Sequence, residues 1–242
     1  MRGRRRAAGL GSLAVGCGLA AALAACSSPP PAAFAHTVSL STDGRTQATL
    51  KVLTGTTVLE IGMADLGTGG SLLRVVTPPG APAAQLRTDA AAPGGSVVDL
   101  TAGNAPAVTV TLNTRVRWRL ELGGGTTRTS ADLRRGQVTG IAFTAGSSVI
   151  SLALPRPHAT VPIQLAGGAS EFSLTLPSGV PAQVTAGGGA GEVSLEGADH
   201  VGVAGGSVFT TPGWTTGGAG FDIDAASGAS RIAVTARAGS GV

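Results

Sequence analysis

The sequence predicts an all-β protein in which short strands stack in regular succession, and three observations predict it. Apolar and polar residues alternate with a period of two along most of the chain after residue 45, the mark of half-buried strands. From Gly136 onward such strands recur every ten or eleven residues, centred near Ala142, Leu152, Ile163, Leu174, Val184 and Ser194, then near Asp222 and Ala233. Thirty-nine of the 242 residues are glycine, and they gather between the strands. A two-strand unit of about 21 or 22 residues is a solenoid period. Helical periodicity is nearly absent beyond Cys26, apart from one turn expected near Ala131–Arg135.

In chain order, Arg2, Arg4, Arg5 and Arg6 precede an apolar run from Ala7 to Ala25, rich in alanine, glycine and leucine. A basic start followed by a short apolar segment is a secretion signal. The run is long enough to span a bilayer. Its small residues and the absence of a basic flank after it favour removal over spanning, so residues 1–25 are expected to be a cleaved signal helix. Leu23-Ala24-Ala25-Cys26 resembles the bacterial lipobox in letters and in position. The resemblance implies a diacylglyceryl thioether on the Cys26 sulfur, cleavage before Cys26 and acylation of the new amine. Cys17, in Ala14-Val15-Gly16-Cys17, is a poorer candidate, with alanine in place of leucine and more apolar chain after it. The general export route is favoured. The Arg5-Arg6 pair lacks the apolar residues that the twin-arginine route expects next.

Residues 26–45 are expected to be the lipidated cysteine and a linker. Pro29-Pro30-Pro31 makes its first part a stiff spacer, reaching roughly 3.1 Å per residue. Two or more acyl chains give durable attachment where one is marginal.

Charge points the same way. The formal net charge is +4, but four of the 17 basic residues lie in the signal. The 13 that remain meet 13 acidic residues, all after Cys26, so the mature chain is formally neutral and carries no polyanion footprint. Nucleic acid is therefore not an expected partner. Cys26 would be the one mature cysteine, which excludes a disulfide framework or a cysteine metal site. Aromatic residues are 3% of the chain and tyrosine is absent, so the core must be thin and made of Val, Leu, Ile and Ala.

Residues 46–106 space their strands less regularly and are expected to form an irregular β cap or a separate N-terminal sheet, with an exposed loop over 79–95. Residues 107–242 are expected to be the stacked domain. In its clearest stretch, Val108, Val110, Leu112, Val116, Trp118, Leu120 and Leu122 share one face, with Thr114 the one polar member. Thr109, Thr111, Asn113, Arg115, Arg117, Arg119 and Glu121 take the other, as one long strand or two with a bend. Glycine pairs and triplets precede the strands, and tight corners with φ > 0 are the expected reason.

The stretches 167–197, GGASEFSLTLPSGVPAQVTAGGGAGEVSLEG, and 213–235, GWTTGGAGFDIDAASGASRIAVT, resemble the toast-rack domains of bacterial envelope proteins, among them the LiaF-like cell-wall-stress proteins and related adhesin-like domains. The resemblance covers about half of the chain, roughly residues 107–237. It implies a single-stranded, right-handed β-helix-like stack and carries no catalytic signature. The transmembrane helices of the LiaF-like proteins have no counterpart here, so a direct stress-regulator role does not carry over.

Several side chains merit weighing as sites. Glu171 and Glu192 hold matching places 21 residues apart, which on adjacent rungs of a stack would set them about 5 Å apart. Such a pair suits retaining glycoside hydrolysis or calcium binding; the plainer reading is two solvated acids. Asp222 and Asp224 share one strand face, where charges at a sheet edge discourage aggregation. His200, beside Asp199, and His158 are the available imidazoles besides linker His36, and no nucleophile elbow or metal-ligand spacing accompanies them. Arg115, Arg117 and Arg119 form a basic stripe diluted by Glu121. No catalytic residue, metal or cofactor is assigned.

The expectation is an extracytoplasmic lipoprotein on the outer face of a bacterial cell membrane. It would serve as a non-enzymatic binding, adhesin-like or scaffold module, with a cell-wall polymer or an envelope protein as partner. The alternative is a carbohydrate-active lyase or hydrolase, which needs three or more polar groups converging in a groove. A scaffold would show dispersed charges.

Overall fold

Alternation becomes strand throughout the described residues, 34–89 and 96–237 of a computed structural model, and no helix occurs among them. Leu23, Ala24, Ala25 and Cys26, with the rest of the expected signal, lie outside the described residues. The strands are β1 (His36–Ser41), β2 (Gln47–Val52), β3 (Thr56–Ala64), β4 (Ser71–Thr77), β5 (Gln85–Asp89), β6 (Ser96–Thr101), β7 (Ala107–Asn113), β8 (Arg117–Leu122), β9 (Thr126–Asp132) and β10 (Gln137–Phe143). There follow β11 (Ser147–Ala153), β12 (Thr160–Leu165), β13 (Ala169–Pro177), β14 (Ala182–Ala186), β15 (Ala190–Leu195), β16 (Ala198–Val203), β17 (Ser207–Thr210), β18 (Gly220–Asp224) and β19 (Ala229–Arg237). The helical turn expected near Ala131–Arg135 is instead the end of β9 and a tight turn at Arg134-Arg135.

These strands form two sheets. Sheet A runs β1-β4-β7-β3-β9-β11-β13-β19-β15-β16, and sheet B runs β17-β14-β18-β12-β10-β8-β2-β6-β5. The repeating unit is a rung: one strand of sheet B, a corner, then one strand of sheet A. Rungs pair in parallel through both sheets, as β8–β9 with β10–β11 and β10–β11 with β12–β13. This is the β-helix-like stack that the strand spacing predicts.

Two features depart from expectation. The strands of residues 46–106 form no sheet of their own, because β2 pairs with β8 and β3 with β9, in register and in parallel. Their backbone groups need partners, and the first edge of the stack supplies them. The linker expected up to residue 45 also already contains β1, and the loop expected over 79–95 contains β5.

The second departure is the order of rungs. Stacking is sequential from β8 to β13 only. The last rung, β18–β19, sits between β12–β13 and β14–β15, and at the other end β2–β3 sits between β6–β7 and β8–β9. Antiparallel strands close the stack on all four edges, namely β1 on β4 and β16 on β15 in sheet A, β5 on β6 and β17 on β14 in sheet B.

The core lies between the sheets and is thin, as the composition requires. Leu50, Leu59, Leu120, Ile150, Ile163, Leu174, Ile223 and Ile232 are among its buried side chains. The rings of Phe143 from sheet B and Phe172 from sheet A meet edge to face, 6.0 Å apart. The stretch from Val108 to Leu122 divides into β7 and β8, one in each sheet, and its apolar positions point inward as expected. Asn113 does not follow. Assigned by alternation to the polar face, it is fully buried. Its Nδ2 donates to the Gly67 and Ser71 carbonyls at 3.1 and 2.9 Å, and its Oδ1 accepts the Arg115 amide at 3.0 Å. Its own carbonyl accepts the buried Trp118 indole N–H at 3.0 Å. The chain turns at residues 114–116, so the alternation is interrupted, and the amide satisfies carbonyls at the connection between β3 and β4.

The glycines at the corners from sheet B to sheet A have a reason other than the one expected. At 53–55, 123–125, 144–146, 166–168 and 187–189 these corners are three residues long. Most of their glycines do not have positive φ. They are small because the corners touch: a Cβ on Gly167 would stand 2.2 Å from the Ala145 carbonyl carbon, and one on Gly124 would stand 2.1 Å from the Thr54 carbonyl oxygen. The first amides beyond the corners complete the ladder. Thr56 donates to the Gly125 carbonyl at 3.1 Å, Thr126 to Gly146 at 3.2 Å and Ser147 to Gly168 at 3.1 Å.

Three substitutions test this packing in chemical denaturation. Gly167→Ala is expected to lose about 1–3 kcal/mol or more, because backbone must move to admit the methyl group. Gly146→Ala, whose Cβ would lie 3.4 Å from the nearest atom, is expected to be neutral or up to about 1 kcal/mol stabilising. Asn113→Ala is expected to cost about 1–3 kcal/mol, since the buried amide's hydrogen bonds to Gly67, Ser71 and Arg115 are lost.

Candidate functional site

Outward side chains of the stack form rows that cross the strands, so register decides which residues meet. In sheet A, Arg231 pairs with Glu171 on one side and Glu192 on the other. The two glutamates are therefore not on adjacent rungs. The strand β19 arrives from the C-terminus between them and places a guanidinium where a carboxylate pair was expected. Arg231 Nη2 lies 3.4 Å from Glu192 Oε1. Alternating charge removes the repulsion that two neighbouring carboxylates would suffer, and the intervening strand removes the close spacing of a retaining-glycosidase pair.

Asp222 and Asp224 lie on β18, in the other sheet. They share its outer face as expected, but β18 is not an edge strand, for β12 and β14 flank it. Their cross-strand neighbours are Pro162, Gln164, Gln183 and Thr185, and Gln183 Nε2 donates to Asp222 Oδ1 at 3.4 Å. An exposed-edge role therefore does not apply to them.

His200 occupies the terminal strand of sheet A, opposite Val193. Its ring lies 4.5 Å from that of Phe209 on β17, the terminal strand of sheet B. This contact joins the ends of the two sheets. The interval between the strand centres near Ser194 and Asp222 thus contains a pair of edge strands, and its histidine packs against a phenyl ring.

The five polar candidates are distributed over the outer face of sheet A, the outer face of sheet B and one end of the stack. They do not converge. No group of three or more His, Cys, Asp or Glu side chains fit to hold a metal occurs among the described residues.

The arginine stripe disperses as well. Arg115 leaves the strand and forks onto Asp65, Nε to Oδ1 at 3.0 Å and Nη2 to Oδ2 at 2.8 Å. Arg117 Nη2 reaches Gln47 Oε1 at 3.3 Å, and Arg119 reaches Glu121 Oε1 at 3.3 Å. Lys51 holds the other oxygen of Glu121 at 3.3 Å. Along this row Arg87, Asp99, Lys51 and Glu121 succeed one another on four paired strands, which is a charge-balanced face.

The fork from Arg115, with the Gly67 amide, holds the Asp65 carboxyl down at about 2, from an ordinary value of 3.8. The fork of Arg134 onto Asp132 likewise lowers that carboxyl. The first pair ties the turn after β3 to the turn after β7, and the second braces the single turn after β9, a structural duty that the sequence does not reveal.

The pH consequence follows from the depressed value. Asp65 contributes stability above its unfolded value, and that contribution is lost as pH falls through the folded one. Carboxyl NMR titration is expected to give Asp65 a midpoint near 2, and Arg115→Gln is expected to move it up toward 3.8.

No protein-family model matches the chain, and no curated protein matches it. Among solved structures the chain is similar to a protein from Clostridium sporogenes described as a "putative cell adhesion protein". The two are 17% identical, and the match covers 84% of this chain and 99% of that one with a TM-score of 0.60. At that identity the likeness shows a shared fold: a two-sheet β stack that spans nearly all of the other protein.

Proposed function

We propose that this chain is an extracytoplasmic lipoprotein, held to the outer face of a bacterial membrane through lipid on Cys26, and that its β stack is a non-enzymatic binding or adhesin-like module. The observation that carries the second half is the scatter of Glu171, Glu192, Asp222, Asp224 and His200 over separate faces. Acid–base catalysis needs groups within reach of one substrate bond, and these are not. Long faces of alternating charge suit adhesion and scaffolding instead. The fold shared with a protein described in terms of cell adhesion supports the same reading. The anchor rests on the basic start, the apolar run and Leu23-Ala24-Ala25-Cys26. On this reading the toast-rack rhythm of residues 167–197 and 213–235 belongs to a surface-presenting scaffold.

Metabolic labelling with a palmitate analogue tests the anchor. Label is expected in the wild type and in Cys17→Ser and is expected to be absent from Cys26→Ser, which should also keep its leader. Label lost in Cys17→Ser alone would move the anchor to Cys17, and an unlabelled wild type with an intact leader would end the proposal.

A further inference from the structure

Crossings from sheet A back to sheet B take three or four residues at 114–116, 133–136 and 178–181, but six at 154–159. The extra length is Pro155-Arg156-Pro157-His158. Proline at alternate positions fixes φ and removes two amide donors, so this segment is a stiff flap whose Leu154 and Pro155 are buried while Arg156 and His158 are exposed. Beneath it lies a cavity of about 240 Å³. Its walls include Arg117, Thr139, Arg156, His158 and Thr160, and the buried Phe221 contributes an apolar floor.

The charge of this cavity is one-sided. Two guanidiniums and an imidazole line it, and no carboxylate does. Arg156 engages the Ser178 carbonyl through Nη2 at 2.9 Å, and a guanidinium has four further N–H donors. A guanidinium without a facing carboxylate is a ready partner for a carboxylate or phosphate group.

A second observation comes from the neighbouring loop, residues 211–219. Thr160 Oγ1 donates to the Gly218 carbonyl at 2.6 Å, and the Gly220 amide donates to Ala159 at 3.4 Å, which ties this loop to the cavity wall. The loop carries Trp214, seated on Gly220, where a Cβ would come within 2.9 Å of the indole. The chain has two tryptophans. Trp118 is buried with its N–H bonded, whereas Trp214 is half-exposed and its indole N–H has no partner among the described residues. The electron-rich face of an indole attracts polarised C–H bonds, and a sugar ring presents these on its flat side.

We infer that this corner cavity binds a saccharide unit carrying a negative charge, with the anion on Arg156 and Arg117 and the ring extending past the lining toward Trp214, which packs on Gly220, the chain neighbour of the Phe221 floor. The inference deepens the binding-module reading and rests on it, and it names the ligand class. The volume suits one ring rather than a drug-sized ligand. The anion comes either from a carboxylate on the sugar or from a phosphate ester.

Tryptophan fluorescence of the full chain in detergent tests it, with glucose, glucuronate, glucose 1-phosphate and inorganic phosphate as probes. At least one of the two charged sugars is expected to shift the emission with millimolar affinity, and the stronger of them identifies the anion. Glucose and phosphate alone are each expected to bind roughly tenfold more weakly or worse. Arg156→Gln and His158→Ala are each expected to weaken binding by about tenfold, and Trp214→Phe to abolish the emission change. His158→Ala decides the matter if Arg156→Gln fails to fold. Equal binding of glucose and the charged sugars would overturn the inference. So would equal binding of phosphate alone, silence with both charged sugars, or wild-type affinity in both variants. Palmitate labelling is independent of these titrations, so failure here leaves the anchor reading standing.

Discussion

The column of corners between sheet B and sheet A is the constraint on which the rest of this fold depends. Each rung turns there within three residues in most cases, and each corner lies directly on the next. The first amide after one corner donates to a glycine carbonyl of its neighbour, from Thr56 to Gly125, Thr126 to Gly146 and Ser147 to Gly168. Rungs that pair in both sheets at a parallel-strand spacing of about 4.8 Å leave no room there for side chains that point along the stack. The residues just past the corners are small for the same reason. Thr56, Thr126, Ser147, Ala169, Ala229 and Ala190 follow one another in register, and Thr126 and Ser147 share a hydroxyl contact at 2.7 Å. The opposite corner is relaxed. Val116, Leu133, Leu154 and Val180 are buried there, and its connections vary in length, which is why a flap such as 154–159 is found on that side.

A stack with fixed rungs still has two ends, and the ends account for the departure from chain order. An exposed parallel strand offers a row of unpaired donors and acceptors to any passing chain. Here the outermost rungs, β6–β7 and β14–β15, are covered by antiparallel strands, β4 and β5 before the first and β16 and β17 after the second, and the rungs β2–β3 and β18–β19 are threaded one rung inward. The strand β19 pairs with β13 and β15 over most of its length, so the C-terminal rung closes contacts that span some 60 residues. Long-range pairing of this kind is slow to form and costly to lose. It makes the last rung part of the core rather than an appendage.

That threading explains what the sequence disclosed and what it withheld. The faces of Val108–Leu122 were legible because alternation is a local consequence of burying one side of a strand. The spacing of Ala142, Leu152, Ile163 and Leu174 was legible because consecutive rungs repeat one length. Glu171 and Glu192 misled because a period of 21 residues says that two positions are equivalent, not that they are neighbours. Only the register of a distant segment places Arg231 between them. Asn113 misled for the opposite reason: a local turn broke the pattern, and a polar letter gives no sign that its amide will be buried. The glycines were legible as corners, but a letter cannot distinguish a residue that needs φ > 0 from one that needs an empty Cβ position. Gly179 is of the first kind, with φ of 71°, and Gly167 of the second.

The same geometry bears on function. In a stack of this type the inward positions are committed to packing and the corner positions to close approach, so variation is left to outward rows and to the relaxed crossings. Outward rows lie on flat sheets, where neighbouring charges are about 5 Å apart and face solvent. They pair off, as Arg87, Asp99, Lys51 and Glu121 do, and a flat row has no depth in which to exclude water. Concavity requires an element that rises off the sheet. Among the crossings of the central rungs, the proline-stiffened segment 154–159 is the longest, and Trp214 approaches from the neighbouring loop. On the proposed binding-module reading, the broad faces are the adhesive surfaces and the crossings are where ligands are discriminated. Ligand selectivity in relatives of this fold should therefore track the length and composition of the crossings from sheet A to sheet B, while the glycine corners stay the same.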